Sequence, residues 1–572
     1  MKPAKGKDIS FLIRENYKSL FGRKLLYLIT LLMPLIYLGI LIKVVIANYS
    51  NVPYWDEWDS RLIMNPKLGH ITLSTFWQQH NEHRIVLSKI LFFLDFKFFN
   101  GGTAPLLVAG ILIAITSYAL LLIYIWKISV TSKVSKINAV MLSSTSGVLL
   151  FSTMQNENFL WAFQSQFLLA ILLPFTTIIF SYKYISTQKK YYFFACWAAS
   201  LFSVGTLASG LLVSVCVVLM NIVCKLNKRQ IFVSILLSIL EFSLYFYGYK
   251  TPNSSPLSVF FHHPLFALKY ICLYLSSPFT YLTNGTNYFL MVLAGAIYIL
   301  VIGVALYRVF SYNKLHLSTV VIPLAMSVYV CVTAAVSAGG RYKFGLDQAL
   351  ASRYTTMSLM GWSCAAIAAI ELSKKRHSVF ILLTPILISV LLLPQQTKAL
   401  SINDNQLFDR KIAALALELN ISDEVQLANV YPSAERVLEV SKVLINNHQS
   451  IFGDSEILQA RKLVGTNLDL AGVGSCVGHV DIASVVKSAA PERQITGWIF
   501  NSKMRQIPKV VLAVDSTNQV TGYGLTGMLR PDVAAAININ ARFSGFKLYA
   551  NKRSISKLVG FSASPLCLFK VS

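Results

Sequence analysis

Apolar residues in the first two thirds of the chain run in unbroken blocks, without the alternation that marks the half-buried elements of a soluble domain. The first block, about Leu25 to Ala47, is too long for the apolar core of a signal peptide and lacks a small-residue cleavage site. It reads as a retained signal anchor. Further blocks lie near 104–127, 138–153, 164–182, 191–205, 208–224, 230–248, 288–307, 317–338, 352–372 and 378–394, which predicts about eleven transmembrane helices. Two other apolar stretches, 84–99 and 264–282, are expected to lie along the membrane interface or to re-enter. Counting either as a full span would invert every later loop, and Asp95 and Lys97 suit the first to an interfacial helix.

After Pro394 the pattern changes. Helical stripes such as Ile412–Ala416 and Val437–Leu444 give way, from Gly474 on, to short alternating runs at Ile495–Phe500, Val510–Asp515, Phe546–Tyr549 and Leu566–Val571, set between Gly, Asn and Pro. The expected architecture is a polytopic α-helical membrane domain over 1–394, a helical extracytoplasmic linker region over 395–473 and a small β-sandwich over 474–572. Cys476 and Cys567 bracket the sandwich and are candidates for a disulfide on the oxidising side of a membrane. The other six cysteines sit in apolar runs and read as small buried hydrophobes.

Composition sharpens the class. Of 572 residues, 55% are hydrophobic and 13% charged, about half the charged share of a soluble domain. A soluble multidomain enzyme, a disordered chain and a disulfide scaffold are excluded. The net charge of +26 would suggest nucleic acid in a soluble protein. Here the basic residues fall at alternate connections: Lys127/Lys133/Lys136, Lys183/Lys189/Lys190, Lys225/Lys228/Arg229, Arg308/Lys314 and Lys374/Lys375/Arg376. Lys2, Lys5, Lys7, Arg14, Lys18, Arg23 and Lys24 precede the first block against only Asp8 and Glu15. Most of the charge is therefore positive-inside topology, with a cytoplasmic N-terminus and no nucleic-acid partner expected.

Candidate chemistry concentrates in the loops assigned to the other side. Trp55-Asp56-Glu57-Trp58-Asp59 places three carboxylates within four residues between tryptophans, where mutual repulsion raises at least one pKa unless a cation answers. One of them could act as general base toward a hydroxyl; an ordinary polar loop with aromatic anchors is the plainer account. His80, Glu82, His83 and Arg84 follow; on a helix His80, His83 and Arg84 would share a face able to hold phosphate, a base or a metal. Gln155-Asn156-Glu157-Asn158 and then Trp161, Gln164 and Gln166 mix amides and acids with aromatics, as carbohydrate sites do, or serve as helix caps and interhelical bonds. Ser203–Gly210 interrupts an apolar run with small residues and reads as a packing hairpin. Arg341, Lys343 and Arg353, near Tyr354, set cations against the positive-inside trend and suit a phosphate or pyrophosphate, or else neutralise the first-loop acids. Glu241, alone in mid-span, reads as a buried hydrogen-bonding group between helices.

An N-in chain with an acidic motif in its first outer loop, an interfacial helix after it, about eleven spans and a C-terminal extracytoplasmic domain resembles the GT-C superfamily of membrane glycosyltransferases. It looks most like the bacterial enzymes that decorate surface polysaccharide, such as O-antigen glucosyltransferases. The likeness covers the chain to about Pro394. Asp56-Glu57 matches the position of the superfamily's acidic pair, and Gln155–Gln166 and Arg341–Tyr354 look like motifs of bacterial relatives; the sandwich is not a superfamily hallmark. The resemblance implies inverting transfer of a sugar from a polyprenyl-phosphate donor to a hydroxyl of a surface glycan or lipid-linked acceptor, in the bacterial cytoplasmic membrane, with the C-terminal domain periplasmic or extracellular. Asp56 would be the base, with Glu57 or Asp59 positioning the acceptor. Arg341, Arg353, Lys343 and Arg84 would hold the donor phosphate. Trp55, Trp58, His80, Glu82, His83, Gln155, Glu157, Trp161, Gln164 and Tyr354 would contact sugar or acceptor. Some members of the superfamily use a divalent metal and others none, so the cofactor is left open. Rival readings are a transporter or flippase of lipid-linked sugars, which should show internal repeats, a polysaccharide polymerase or ligase, and an inactive scaffold.

Overall fold

The computed structural model describes residues 9–59, 61–131, 134–250, 258–281, 287–311, 317–373, 379–400, 404–486, 492–551, 555–561 and 567–570. Of the basic and acidic residues used to orient the chain, Lys2, Lys5, Lys7, Asp8, Lys133, Lys314, Lys374, Lys375 and Arg376 lie outside the described residues. The chain divides into two compact units, one of Met1–Ala47, Phe76–Ser88 and Leu107–Ser401, the other of Asn48–Thr75, Lys89–Leu106 and Ile402–Ser572. The residues 48–75 and 89–106 thus fold with the C-terminal part, where the pattern of apolar blocks had assigned them to the membrane domain.

The first unit is a polytopic membrane bundle. Each of the eleven apolar blocks is helical, and nine helices among the described residues are long and apolar enough to cross a membrane. The remaining two, Lys190–Val204 and Leu212–Val223, have 15 and 12 residues. At about 1.5 Å per residue each falls short of a hydrocarbon core of about 30 Å. The small-residue segment causes the shortening: the helix stops at Val204, a tight turn follows over Ala208–Leu211, and a Cβ on Gly210 would collide with the Ser203 carbonyl.

Helix Pro264–Ser276 leaves Leu265 and Leu268 exposed in its first half and packs into the bundle with its second. Tyr270 and Cys272 to Ser276 are buried, and a Cβ on Gly295 would strike the backbone of Cys272, so this helix and Tyr288–Ser311 cross closely. Polar side chains tie the bundle together. Tyr37 donates to the Ser389 carbonyl at 2.8 Å and Ser144 to that of Thr30 at 2.6 Å. Ser200 donates to Glu241 at 2.8 Å, which gives the mid-span acid an interhelical hydrogen bond.

In the second unit the expected sandwich is replaced by one eight-stranded sheet. Its strands are β1 (Gly474–Ser475), β2 (Val477–Val486), β3 (Glu492–Phe500), β4 (Val510–Val514), β5 (Val520–Met528), β6 (Gly545–Asn551), β7 (Lys557–Phe561) and β8 (Cys567–Lys570), in the order β1-β8-β7-β4-β5-β6-β3-β2. β1 and β2 stand at opposite edges, yet only Cys476 separates them in sequence. The sheet must therefore curl until its edges approach, as in a half-barrel. The disulfide Cys476–Cys567, with Cα atoms 5.2 Å apart, pins this seam.

The alternation of β4 divides the two faces. Val511 and Ala513 point into the curl with Ile495, Phe546 and Leu548. Val510, Leu512 and Val514 point outward against Ile412–Leu417 of helix Asp404–Glu418, Val437 and Leu444 of Ala434–Asn446 and Ile457 of Ser455–Leu463. Residues 404–463 are therefore the covering layer of the sheet, not a linker. Val52, Trp58, Leu62 and Phe96 complete that core.

Candidate functional site

The acidic motif of the second unit lies on a 3₁₀ turn, Trp55–Glu57, entered through a left-handed φ of +49° at Trp55. Such a conformation costs a non-glycine residue about 1–2 kcal/mol. The Trp55 N–H donates to the Val430 carbonyl at 2.9 Å, and the Trp58 N–H closes the turn on Trp55 at 2.9 Å.

The three acids then separate by environment. Glu57 is buried and faces Arg61 at 3.2 Å. Burial pushes its carboxyl up to about 7, against the pull of Arg61 and Arg410 and with the help of Asp95. Arg61 also pairs with Asp95 and donates to the Gly101 carbonyl. Asp59 accepts from the Tyr431 hydroxyl and lies 3.4 Å from Arg436. Asp56 is half-buried and acts electrostatically on the Tyr431 phenol. The cation that three crowded carboxylates require is thus supplied by Arg61 and Arg436.

These placements revise several expected roles. Trp58 is a core residue at 0% exposure and cannot stack on a ligand, whereas Trp55 is exposed. Glu57 is sealed from any acceptor. Asp95 belongs to a buried ion pair rather than to the polar face of an interfacial helix, because Arg61 reaches it from the preceding turn.

In the first unit, His80 to His83 form a tight turn, not a helix. Their backbones pair in both directions at 2.8 and 2.9 Å, with Asn81 at a φ of +48°. His83 Nδ1 accepts from the Ala208 N–H at 3.3 Å. Desolvation lowers His83 to about 4, opposed by Glu82 and reinforced by Arg341 and His80, so the ring is neutral at pH 7. Arg84 spends its donors on the carbonyls of Tyr245, Trp77 and Tyr247 at 2.6–2.7 Å and lies over the Trp77 ring. It is a structural brace and not a phosphate ligand.

Gln155 is likewise absorbed by packing: it donates to the Leu150 carbonyl at 2.6 Å and accepts from Thr356. Gln164 is buried and accepts from Gln166 at 3.3 Å. Both are interhelical or helix-end groups, the plainer of the two readings.

Two half-buried ion pairs remain. Arg341 meets Glu82 at 3.1 Å, and Arg353 meets Glu157 at 3.2 Å. Among the described residues the buried Tyr270 hydroxyl has no hydrogen-bond partner, and the charges of both guanidiniums are felt at its phenol. Tyr354 packs against Tyr274 at 5.2 Å and under Arg353 at 5.4 Å. His80, Phe163 and Trp161 form a ring series at 5.1 and 5.8 Å. Lys343 is exposed on the 3₁₀ turn that follows Arg341. The first unit thus holds two half-buried guanidinium–carboxylate pairs, with aromatic rings in the same connections.

Arg61 was legible as the i+4 partner of Glu57. Tyr431, Arg436 and Tyr270 carried no local signal. Among the described residues no three His, Cys, Asp or Glu converge, and Glu57 and Asp59 already face guanidiniums. Compared with protein-family models, curated proteins and solved structures, the chain matches none of them.

Proposed function

We propose that the protein is a GT-C-like membrane glycosyltransferase, which moves a sugar from a polyprenyl-phosphate donor to a hydroxyl of a cell-surface glycan or lipid-linked acceptor. The observation that carries this reading is that Arg341 and Arg353 are each paired with a half-buried carboxylate, Glu82 and Glu157, rather than spent on backbone carbonyls. Each arginine is held by a carboxylate and only half-buried, so an incoming phosphate can take its place as the acceptor of fork-like hydrogen bonds. In this reading the eleven apolar helices, with Lys190–Val204 and Leu212–Val223 as two short spans, set the N-terminus in the cytoplasm of a bacterium and the C-terminal unit in the periplasm.

The reaction is a displacement. The acceptor oxygen attacks the anomeric carbon and gives its proton to a carboxylate base, the role that the resemblance to the superfamily's acidic pair assigns to Asp56. The bond from the anomeric carbon to the phosphate oxygen breaks, and the phosphate leaves with the electron pair. Guanidiniums on the leaving phosphate stabilise the charge that develops there. Trp161 supplies a ring face for sugar.

The test is a purified, nanodisc-embedded protein given a polyprenyl-phosphate hexose and a surface-glycan acceptor, with product read by mass spectrometry. Arg341→Ala/Arg353→Ala and Asp56→Asn are each expected to abolish the new glycosidic bond. Full transfer by the double arginine variant overturns the phosphate assignment, and full transfer by Asp56→Asn overturns the base. A flippase would move the donor without forming that bond.

A further inference from the structure

A cleft of about 410 Å³ opens within the second unit, lined by Tyr49, Asn51, Phe408, Lys411, Asp454 and Phe543 among others. Its size falls in the roughly 300–1,000 Å³ range of small-ligand sites. Phe408 is buried as one wall, while Tyr49 and Phe543 are 41% and 36% exposed. Asp454 precedes helix Ser455–Leu463 but does not spend its carboxylate on capping it; the side chain bonds Asn51 instead. Lys411 reaches Glu456 at 3.5 Å.

A backbone irregularity shapes the same place. The register between β5 and β6 slips between Thr526 and Met528, leaving Gly527 unpaired at a φ of +134°. A Cβ there would stand 3.1 Å from the Phe408 ring. Bulges that re-aim a strand in this way are frequent beside functional sites.

We infer that this cleft binds a pyranose ring of a membrane-borne glycan. A pyranose offers an apolar C–H face and a rim of hydroxyls, which is the complement of aromatic rings set beside an amide, a carboxylate and an ammonium. Other ligand classes fit less well. An anion would meet one cation, Lys411, already shared with Glu456 and opposed by Asp454. A hydrocarbon chain would strand Asn51, Asp454 and Lys411 without water. Tyr49 follows the first apolar helix, which ends at Ala47, by two residues, which favours a sugar carried by the envelope over a freely diffusing one. In naming this sugar as part of the acceptor, the inference rests on the proposed transfer reaction; the binding itself does not.

The experiment uses the full chain in nanodiscs. Saturation-transfer NMR is run with free oligosaccharides of glucose, galactose, rhamnose and N-acetylglucosamine, and with glycolipids bearing the same headgroups. Binding of either form is expected, with Phe543→Ala and Asp454→Asn each weakening it about tenfold. Phe543 is exposed and the Asp454 change is isosteric, so both variants keep the fold. No binding of any probe up to about 10 mM, or wild-type affinity in both variants, overturns the inference. Sugar binding with these losses but no transfer from a polyprenyl donor leaves the cleft standing and overturns the transferase reading instead.

Discussion

Arg61 Nη1 lies 3.2 Å from Glu57 Oε2, and both side chains are buried. The same guanidinium serves Asp95 and the Gly101 carbonyl, so one cation holds two acids and a loop. Arg61→Met would leave Asp95 buried without its guanidinium and Glu57 with only the pull of Arg410, at a cost of about 3–5 kcal/mol. The expected result is a drop of roughly 10 °C in the melting temperature of the purified protein. An unchanged melting curve would contradict the proposed role of the pair.

The same cluster predicts a pH dependence. Glu57 titrates near 7 in the folded chain and near 4.3 in an unfolded one. Between those values the native state binds the extra proton, so stability falls as pH rises. The contribution is complete below about pH 4 and lost above about pH 7. Glu57→Gln, which mimics the protonated acid, should flatten the loss of melting temperature between pH 5 and pH 8; an equally steep loss in the variant would place the titration elsewhere.

Two arginines that look equivalent in sequence should behave differently. Arg84→Ala leaves three carbonyls without their donor and is expected to cut the yield of folded protein while surviving molecules keep their donor KM. Arg353→Ala removes a half-buried pair, worth at most about 1 kcal/mol to stability. It should raise the donor KM roughly 10- to 100-fold at near-normal yield. Steady-state kinetics beside size-exclusion yield separates the two.

Closing a loop across 91 residues at the seam of the curled sheet should stabilise the second unit by about 2–4 kcal/mol. Cys476→Ser/Cys567→Ser is expected to lower the melting temperature. Reductant should lower it in the wild type and leave the double variant unmoved. Sensitivity of the variant to reductant would mean that another thiol pair is responsible.

Much of the fold was legible because hydrocarbon imposes long, uninterrupted apolar runs, and all eleven of these are helices. The two that fall short of membrane length do so where Ser203, Gly205 and Gly210 let the chain turn back. The strand Val510–Val514 was also visible, as a short apolar run between polar and turn residues, and it is buried on both faces. The closure of the sheet was not: it follows from β1 and β2 standing at opposite edges, a pairing that no local pattern encodes. The acids of the first loop were found as an anomaly in composition. Their division into a sealed Glu57, an ion-paired Asp59 and a half-buried Asp56 depended on Tyr431 and Arg436, nearly 380 residues away.

Sequence alone determined that this is a polytopic membrane protein with a polar C-terminal part, because apolar length and charge asymmetry are local quantities set by the solvent each segment must occupy. It also singled out the carboxylates and guanidiniums that hydrocarbon does not tolerate without cause. Which of those groups are braces and which face a half-buried site depended on tertiary contact. Arg84 and Arg353 carry the same charge in similar connections, and only the carbonyls around the one and the half-buried carboxylate beside the other set them apart.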